Sequence, residues 1–373
     1  MPSKLAITSM SLGRCYAGHT LTHKLDMAHK HGYQGLELFH EDLADVAYLL
    51  TSETPSPSGP SPPAQLLAAR QIRRMCQARN IEIICLQPFS QYDGLVNREE
   101  HNRRLEQLDF WIDLAHELGT DMIQIPANFL PAEEVTEDMD LIVSDLREVA
   151  DRGLRAEPKV RFVYEALCWS TRVDTWEKSW EVVERVDREN FGVCLDTFNI
   201  AGRIFADPTV MGGCKPGGEE EVRKSMGRLV ERVRREKVFY VQVVDAERLG
   251  EALVEGHEFW VETQPARMSW SRNCRLFYGE GGYLPVKEIA WAIFKGLGFE
   301  GWVSLELFNR RMGERGGGVV EELARRGRVS WGKLVRDMKI CVEVPVRERE
   351  REREQQQQHQ QQPMRMLAMS PSL

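Results

Sequence analysis

The sequence predicts an α/β protein built as a closed (β/α)8 barrel. Three observations lead there. Short apolar runs rich in Val, Ile, Leu and aromatic residues alternate with longer stretches of helical periodicity along most of the chain, the pattern of a parallel sheet covered by helices. Eight such units can be counted, the number that closes a barrel. Four of the apolar runs carry a carboxylate or an amide near their ends, where a barrel gathers its ligands.

The first strand is read at residues 5–8, followed by a Ser/Gly loop over 9–18 and a helix over 21–31, where Leu21, Leu25 and Ala28 recur at helical spacing. Gly32 is placed to stop that helix. A strand over 33–39 and a helix over 43–50 come next, then a Thr/Ser/Pro/Gly segment over 51–63 that reads as an exposed loop. The alternation continues with helix 64–79, strand 81–89, helix 98–118, strand 121–127, helix 132–152, strand 160–167, helix 174–188 and strand 191–198. A longer connection through Pro208 and 212–218 leads to helix 219–236 and strand 238–245. Residues 246–282 form a long irregular loop after this seventh strand, and helix 284–297, strand 302–308 and helix 319–342 complete the series.

Barrels of this kind average ~250 residues, so part of a 373-residue chain must lie in loops and a tail. The catalytic domain is drawn at 1–346. Residues 347–373 begin with alternating Arg and Glu and continue with a Gln-rich run; with no apolar face to bury, this tail is expected to be disordered.

A formal net charge of −8 supplies no concentrated basic face, so nucleic acid is a poor partner. No stretch approaches the roughly 20 apolar residues of a membrane span, and the N-terminus lacks a signal-peptide core. Eight cysteines are scattered without a CxxC pair, several of them inside apolar runs, as expected for reduced thiols in a cytoplasmic protein. A small molecule is the expected partner, and a homo-oligomer is left open.

The site reading starts from charge in the wrong place. An unpaired buried carboxylate costs several kcal/mol, so such groups are paired, protonated or bound to a metal. Glu165 in VRFVYEAL, Asp196 in FGVCLDTFN, Gln242 in VFYVQVVD and Glu306 in GWVSLELF each sit late in an apolar run. Alternation puts Glu165 with Val163, and Asp196 with Cys194, on one inward face. Four oxygen ligands with neither His nor Cys favour a hard divalent cation, Mg2+ or Mn2+, with Co2+ also suited and zinc less so. Cys168 and Cys194 read as packing rather than as nucleophiles. Ser271 and Arg275, in the long loop after the seventh strand, are expected to hang over the same mouth, where an arginine suits capture of a carboxylate.

The segments SMSLGRCYAGHTL, GYQGLELFHEDL, LQPFSQYDGL, YEALCW, CLDTFNIAGRIFADP, YVQVVDAE, ARMSWSRNCRLFYGEGGYLP and VSLELFN resemble the sugar phosphate isomerase/epimerase-like (xylose isomerase-like) barrels. More narrowly they resemble the fungal 3-dehydroshikimate dehydratases of quinate breakdown, over most of 4–342. The resemblance implies that Glu165, Asp196, Gln242 and Glu306 bind the metal, that Ser271 and Arg275 hold substrate, and that 3-dehydroshikimate is dehydrated to protocatechuate. It departs at Asn199, where bacterial relatives carry a His. An amide transfers no proton at neutral pH, so Asn199 is expected to join the substrate-binding set. Glu306 and Glu165 are the leading acid/base candidates, with Glu37, His40 and His257 behind them. The alternative activity on the same barrel is isomerisation or epimerisation of a small keto sugar.

Overall fold

The computed structural model describes residues 2–342. Eight parallel strands close in the order β1, β10, β7, β6, β5, β4, β3, β2. They are β1 (Lys4–Thr8), β2 (Gly35–Phe39), β3 (Glu82–Gln87), β4 (Met122–Pro126), β5 (Arg161–Glu165), β6 (Phe191–Asp196), β7 (Val238–Gln242) and β10 (Trp302–Leu305). The two-residue strands β8 (Asp245–Ala246) and β9 (Arg275–Leu276) pair antiparallel beside the barrel. The expected (β/α)8 barrel is therefore present. The expected tail over 347–373 lies outside the described residues, as does the end of the domain drawn to 346. No helix among the described residues is long and apolar enough to cross a membrane.

Because side chains alternate across a strand, each strand feeds the barrel interior at every second position. The enclosed interior is filled by Ala6, Ile84, Cys85, Met122, Val163, Cys194 and Tyr240. The opposite strand faces join the helices in one continuous apolar core. Close approach between β6 and β7 requires a glycine: a Cβ on Gly192 would lie 2.6 Å from both the Lys237 carbonyl oxygen and the Phe239 ring.

The strands are shorter than their apolar runs. Tyr33, Ile81, Phe89 and Leu167 are buried in irregular connections and Phe198 in a helix beside the sheet, since burial rather than ladder pairing made those positions apolar. The helix expected from residue 132 begins at Met139 as α5 (Met139–Arg155), with Asp138 accepting from the Asp140 amide at 2.8 Å as its cap. Three elements were not anticipated. α7 (Thr197–Ile204) starts directly at the end of β6, capped by Asp196. The segment after β7 is not wholly irregular, because α9 (Ala266–Cys274) and β9 organise it.

Candidate active site

Two residues beyond the apolar interior layer, the same alternation presents a polar one. Val163 is followed by Glu165, Cys194 by Asp196, Tyr240 by Gln242, Cys85 by Gln87, Met122 by Gln124 and Ala6 by Thr8, and all six of the outer set are nearly or completely buried. Glu306 lies just past the end of β10 and is 4 % exposed. One carboxylate oxygen from each of Glu165, Asp196 and Glu306 falls within 4.8 Å of the others.

Amides fix the positions of these carboxylates. Asn199, on the first turn of α7, donates from Nδ2 to Glu165 Oε1 at 2.9 Å and to Asp196 Oδ2 at 2.6 Å, while its Oδ1 accepts from the Cys168 amide at 3.0 Å. Gln124 donates to the other oxygen of Glu165, and Gln87 donates to Glu306 Oε1 at 3.3 Å. Asp196 uses Oδ1 to cap α7 through the Phe198 amide at 2.8 Å. The short helix that begins at the end of β6 thus orients the carboxylate that caps it.

Arg275 enters the same cluster. Its Nη1 donates to Asp196 Oδ2 at 3.2 Å, Glu306 Oε2 at 3.0 Å and the Glu306 carbonyl at 3.3 Å, and its Nε donates to Ser271 Oγ at 3.0 Å. The guanidinium lies 4.3 Å from the Phe198 ring centroid and 5.0 Å from that of Phe308, an arrangement suited to a planar cation. Ser271 and Arg275 do not hang over the mouth from a free loop. α9 carries Ser271 at 1 % exposure, and Arg275 follows it into the interior at the same low exposure.

The electrostatics leave a deficit. Three buried carboxylates share one guanidinium, and Glu165 makes no ion pair with it. Burial raises the pKa of Glu165 well above the ordinary carboxylate range, reinforced by the charges of Glu306 and Asp196. Burial likewise raises Asp196 and Glu306, with Arg275 pulling both back. Carboxyls held up in this way ionise again when a cation joins them. Gln242 adds a second sign: its Nε2 donates to Glu37 at 3.0 Å, while its Oε1 is buried without a hydrogen-bond partner. Three carboxylates plus an orphaned amide oxygen match the oxygen-only donor set of a hard divalent cation, so these residues fit a metal.

Of the other acid/base candidates, His40 meets Gln65 Oε1 at 3.0 Å and stacks on Trp111, and His257 accepts from the Phe259 amide at 3.0 Å. Both are engaged away from the carboxylates. Burial pushes the Cys168 thiol up to about 12, and Cys194 is raised by burial as well, so both suit packing rather than attack. Gln87, Gln124 and Thr8 were missed as site residues. The signal was present, since each stands two positions beyond an interior apolar residue of its strand, as Glu165 and Asp196 do.

Residues 25–328 match the profile of the family described as xylose isomerase-like TIM barrel. The chain is 66 % identical, over 93 % of its length and 97 % of the relative's, to a 3-dehydroshikimate dehydratase of Neurospora crassa. It is 31 % identical over 78 % of its length to a 3-dehydroshikimate dehydratase of Pseudomonas aeruginosa, of which it spans 36 %. Among solved structures, a xylose isomerase-like TIM barrel/4-hydroxyphenylpyruvate dioxygenase fusion protein superposes with a TM-score of 0.67 at 26 % identity, covering 91 % of this chain and 44 % of that one. With its barrel, its polar strand-end layer and these matches, the chain belongs to the xylose isomerase-like TIM barrel family.

Proposed function

We infer that this protein is a 3-dehydroshikimate dehydratase, a hydro-lyase that converts 3-dehydroshikimate to protocatechuate and water with a divalent metal, Mg2+, Mn2+ or Co2+, held by Glu165, Asp196, Gln242 and Glu306. Identity of 66 % to the Neurospora enzyme along almost the whole of both chains carries the assignment of activity. The excess of buried carboxylates over cations supports the metal.

The substrate has a ketone, an acidic hydrogen on the adjacent carbon, and a hydroxyl one carbon further on. Removing that hydrogen and the hydroxyl yields water and a dienone, and a second proton shift makes the ring aromatic. A bound divalent cation supplies Lewis-acid stabilisation for the negative charge developing on the carbonyl oxygen. Glu165 and Glu306 carry the proton transfers. Glu165 suits the role of base because Arg275 pairs with Asp196 and Glu306 rather than with it. Arg275, already seated between two aromatic rings, balances the substrate's ring carboxylate with Ser271 as its partner. Asn199 holds Glu165 and Asp196 in place and carries no proton itself. The apolar layer beneath closes the floor of the site to bulk water.

Incubation of the purified protein with 3-dehydroshikimate tests the activity. Growth of the ultraviolet absorbance of an aromatic dihydroxybenzoate is expected. Absence of that signal, together with turnover of a small ketose, would replace the dehydratase by an isomerase or epimerase.

A further inference from the structure

Glu37 is the fourth carboxylate of the barrel interior, fully buried and assigned no part in the reaction above. It sits between the two layers. A register shift in the pairing of β2 with β3, between Leu36 and Glu37, sets Glu37 opposite Cys85, and shifts of this kind re-aim side chains beside active sites. Tyr240 of the apolar layer donates its hydroxyl to Glu37 Oε2 at 2.8 Å. From the polar layer, Gln87 donates at 2.7 Å, Thr8 at 3.1 Å and Gln242 at 3.0 and 3.3 Å to the two oxygens.

Every one of these contacts is a donation to Glu37, so its oxygens are committed as acceptors. A group so enclosed is poorly placed to collect a substrate proton. It is well placed to decide which way an amide faces. With its NH2 group taken by Glu37, Gln242 turns its carbonyl oxygen the other way, and that Oε1 is buried without a hydrogen-bond partner. Asp196 and Gln242 are register neighbours on β6 and β7. Gln87 also connects Glu37 to Glu306, giving its Nε2 to both.

We propose that Glu37 is a positioning residue that fixes the amide of Gln242, and through Gln87 the carboxylate of Glu306, so that oxygens rather than NH2 groups face the metal. This rests on the metal reading given above. Groups that orient metal ligands from behind alter affinity by about 10–100-fold when lost.

Mn2+ titration of metal-stripped protein by calorimetry, with electron paramagnetic resonance of the bound ion, tests the assignment. Glu37→Gln leaves one acceptor oxygen for four donor residues, and is expected to weaken Mn2+ binding about 10–100-fold, to alter the Mn2+ spectrum and to recover much of its turnover at saturating Mn2+. In a Gln242→Leu background the same change should weaken binding by a smaller factor than in the otherwise unaltered protein, because only the route through Gln87 is left to lose. Unchanged Mn2+ affinity with turnover lost at every metal concentration would overturn the inference and make Glu37 a proton-transfer group. Should Glu37→Gln fail to fold, Tyr240→Phe removes one of the groups holding Glu37 and leaves Gln242 intact. A weakening of Mn2+ binding by a few-fold supports the inference there, and unchanged binding overturns it. If the wild-type protein binds no Mn2+, the metal reading itself falls and this inference with it.

Discussion

Two rings of side chains line the same barrel strands two residues apart, and their chemistry is opposite. Met122, Val163, Cys194 and Tyr240 belong to a packed apolar interior. Gln124, Glu165, Asp196 and Gln242, next along the same strands, belong to a hydrogen-bonded layer that, with Glu306, buries more carboxyl groups than it pairs with cations. Strand geometry presents both rings equally well, so the difference lies in what each ring asks of folding. Packing the lower ring stabilises the fold, whereas burying several carboxyl groups in the upper ring opposes it unless a cation joins them. Apart from the Tyr240 hydroxyl, which reaches up to Glu37, the rings should therefore separate in experiment, metal and turnover above, stability below.

The largest expected effect is in the upper ring. Asp196→Asn or Glu306→Gln should lower turnover by on the order of 10^3-fold, the scale of several kcal/mol of lost transition-state stabilisation, and should abolish Mn2+ binding. The melting temperature of the metal-free variants should change little, because Arg275 keeps one of its two carboxylate partners. A variant that keeps full Mn2+ affinity would break the comparison. Met122→Ala, in the lower ring, should cost about 2–5 kcal/mol in urea unfolding and change Mn2+ affinity by less than about twofold. A change in metal affinity as large as that of a ligand variant would show that the rings are not separable.

Asp93 sharpens the contrast from outside both rings. It is a buried carboxylate bonded to the Tyr164 hydroxyl at 2.9 Å and the Asn128 amide at 3.1 Å. Burial raises its pKa from 3.8 to about 7. Between those values the folded state holds a proton that the unfolded state releases, so its contribution to stability is full below about pH 4 and is lost as pH rises towards 7. Asp93→Asn should flatten the stability profile over that range and leave Mn2+ affinity unchanged. An unaltered slope would mean that Asp93 is ionised in the fold.

The barrel was legible because eight apolar runs and their helices recur at a length that tertiary context does not override. Glu165, Asp196 and Glu306 were legible for a different reason, as charges inside runs that should be buried. Gln87 and Gln124 carry no charge, so neither stood out, although the alternation that found Glu165 points to them as well. α7 was hidden because Phe198, an aromatic residue just past Asp196 and Thr197, prolongs the look of a strand, and Gly202 weakens the helical signal. Arg275 was expected near the mouth, but its seat against Asp196, 79 positions away in the chain, depends on α9 folding inward, which no local pattern announces.

The central claim is that the upper ring works through a metal. Turnover of 3-dehydroshikimate by chelator-stripped protein, followed as aromatic absorbance before and after addition of Mn2+ or Mg2+, tests it most directly. The account predicts no aromatic product from the stripped protein and recovery on adding either ion. Full turnover without metal would contradict it.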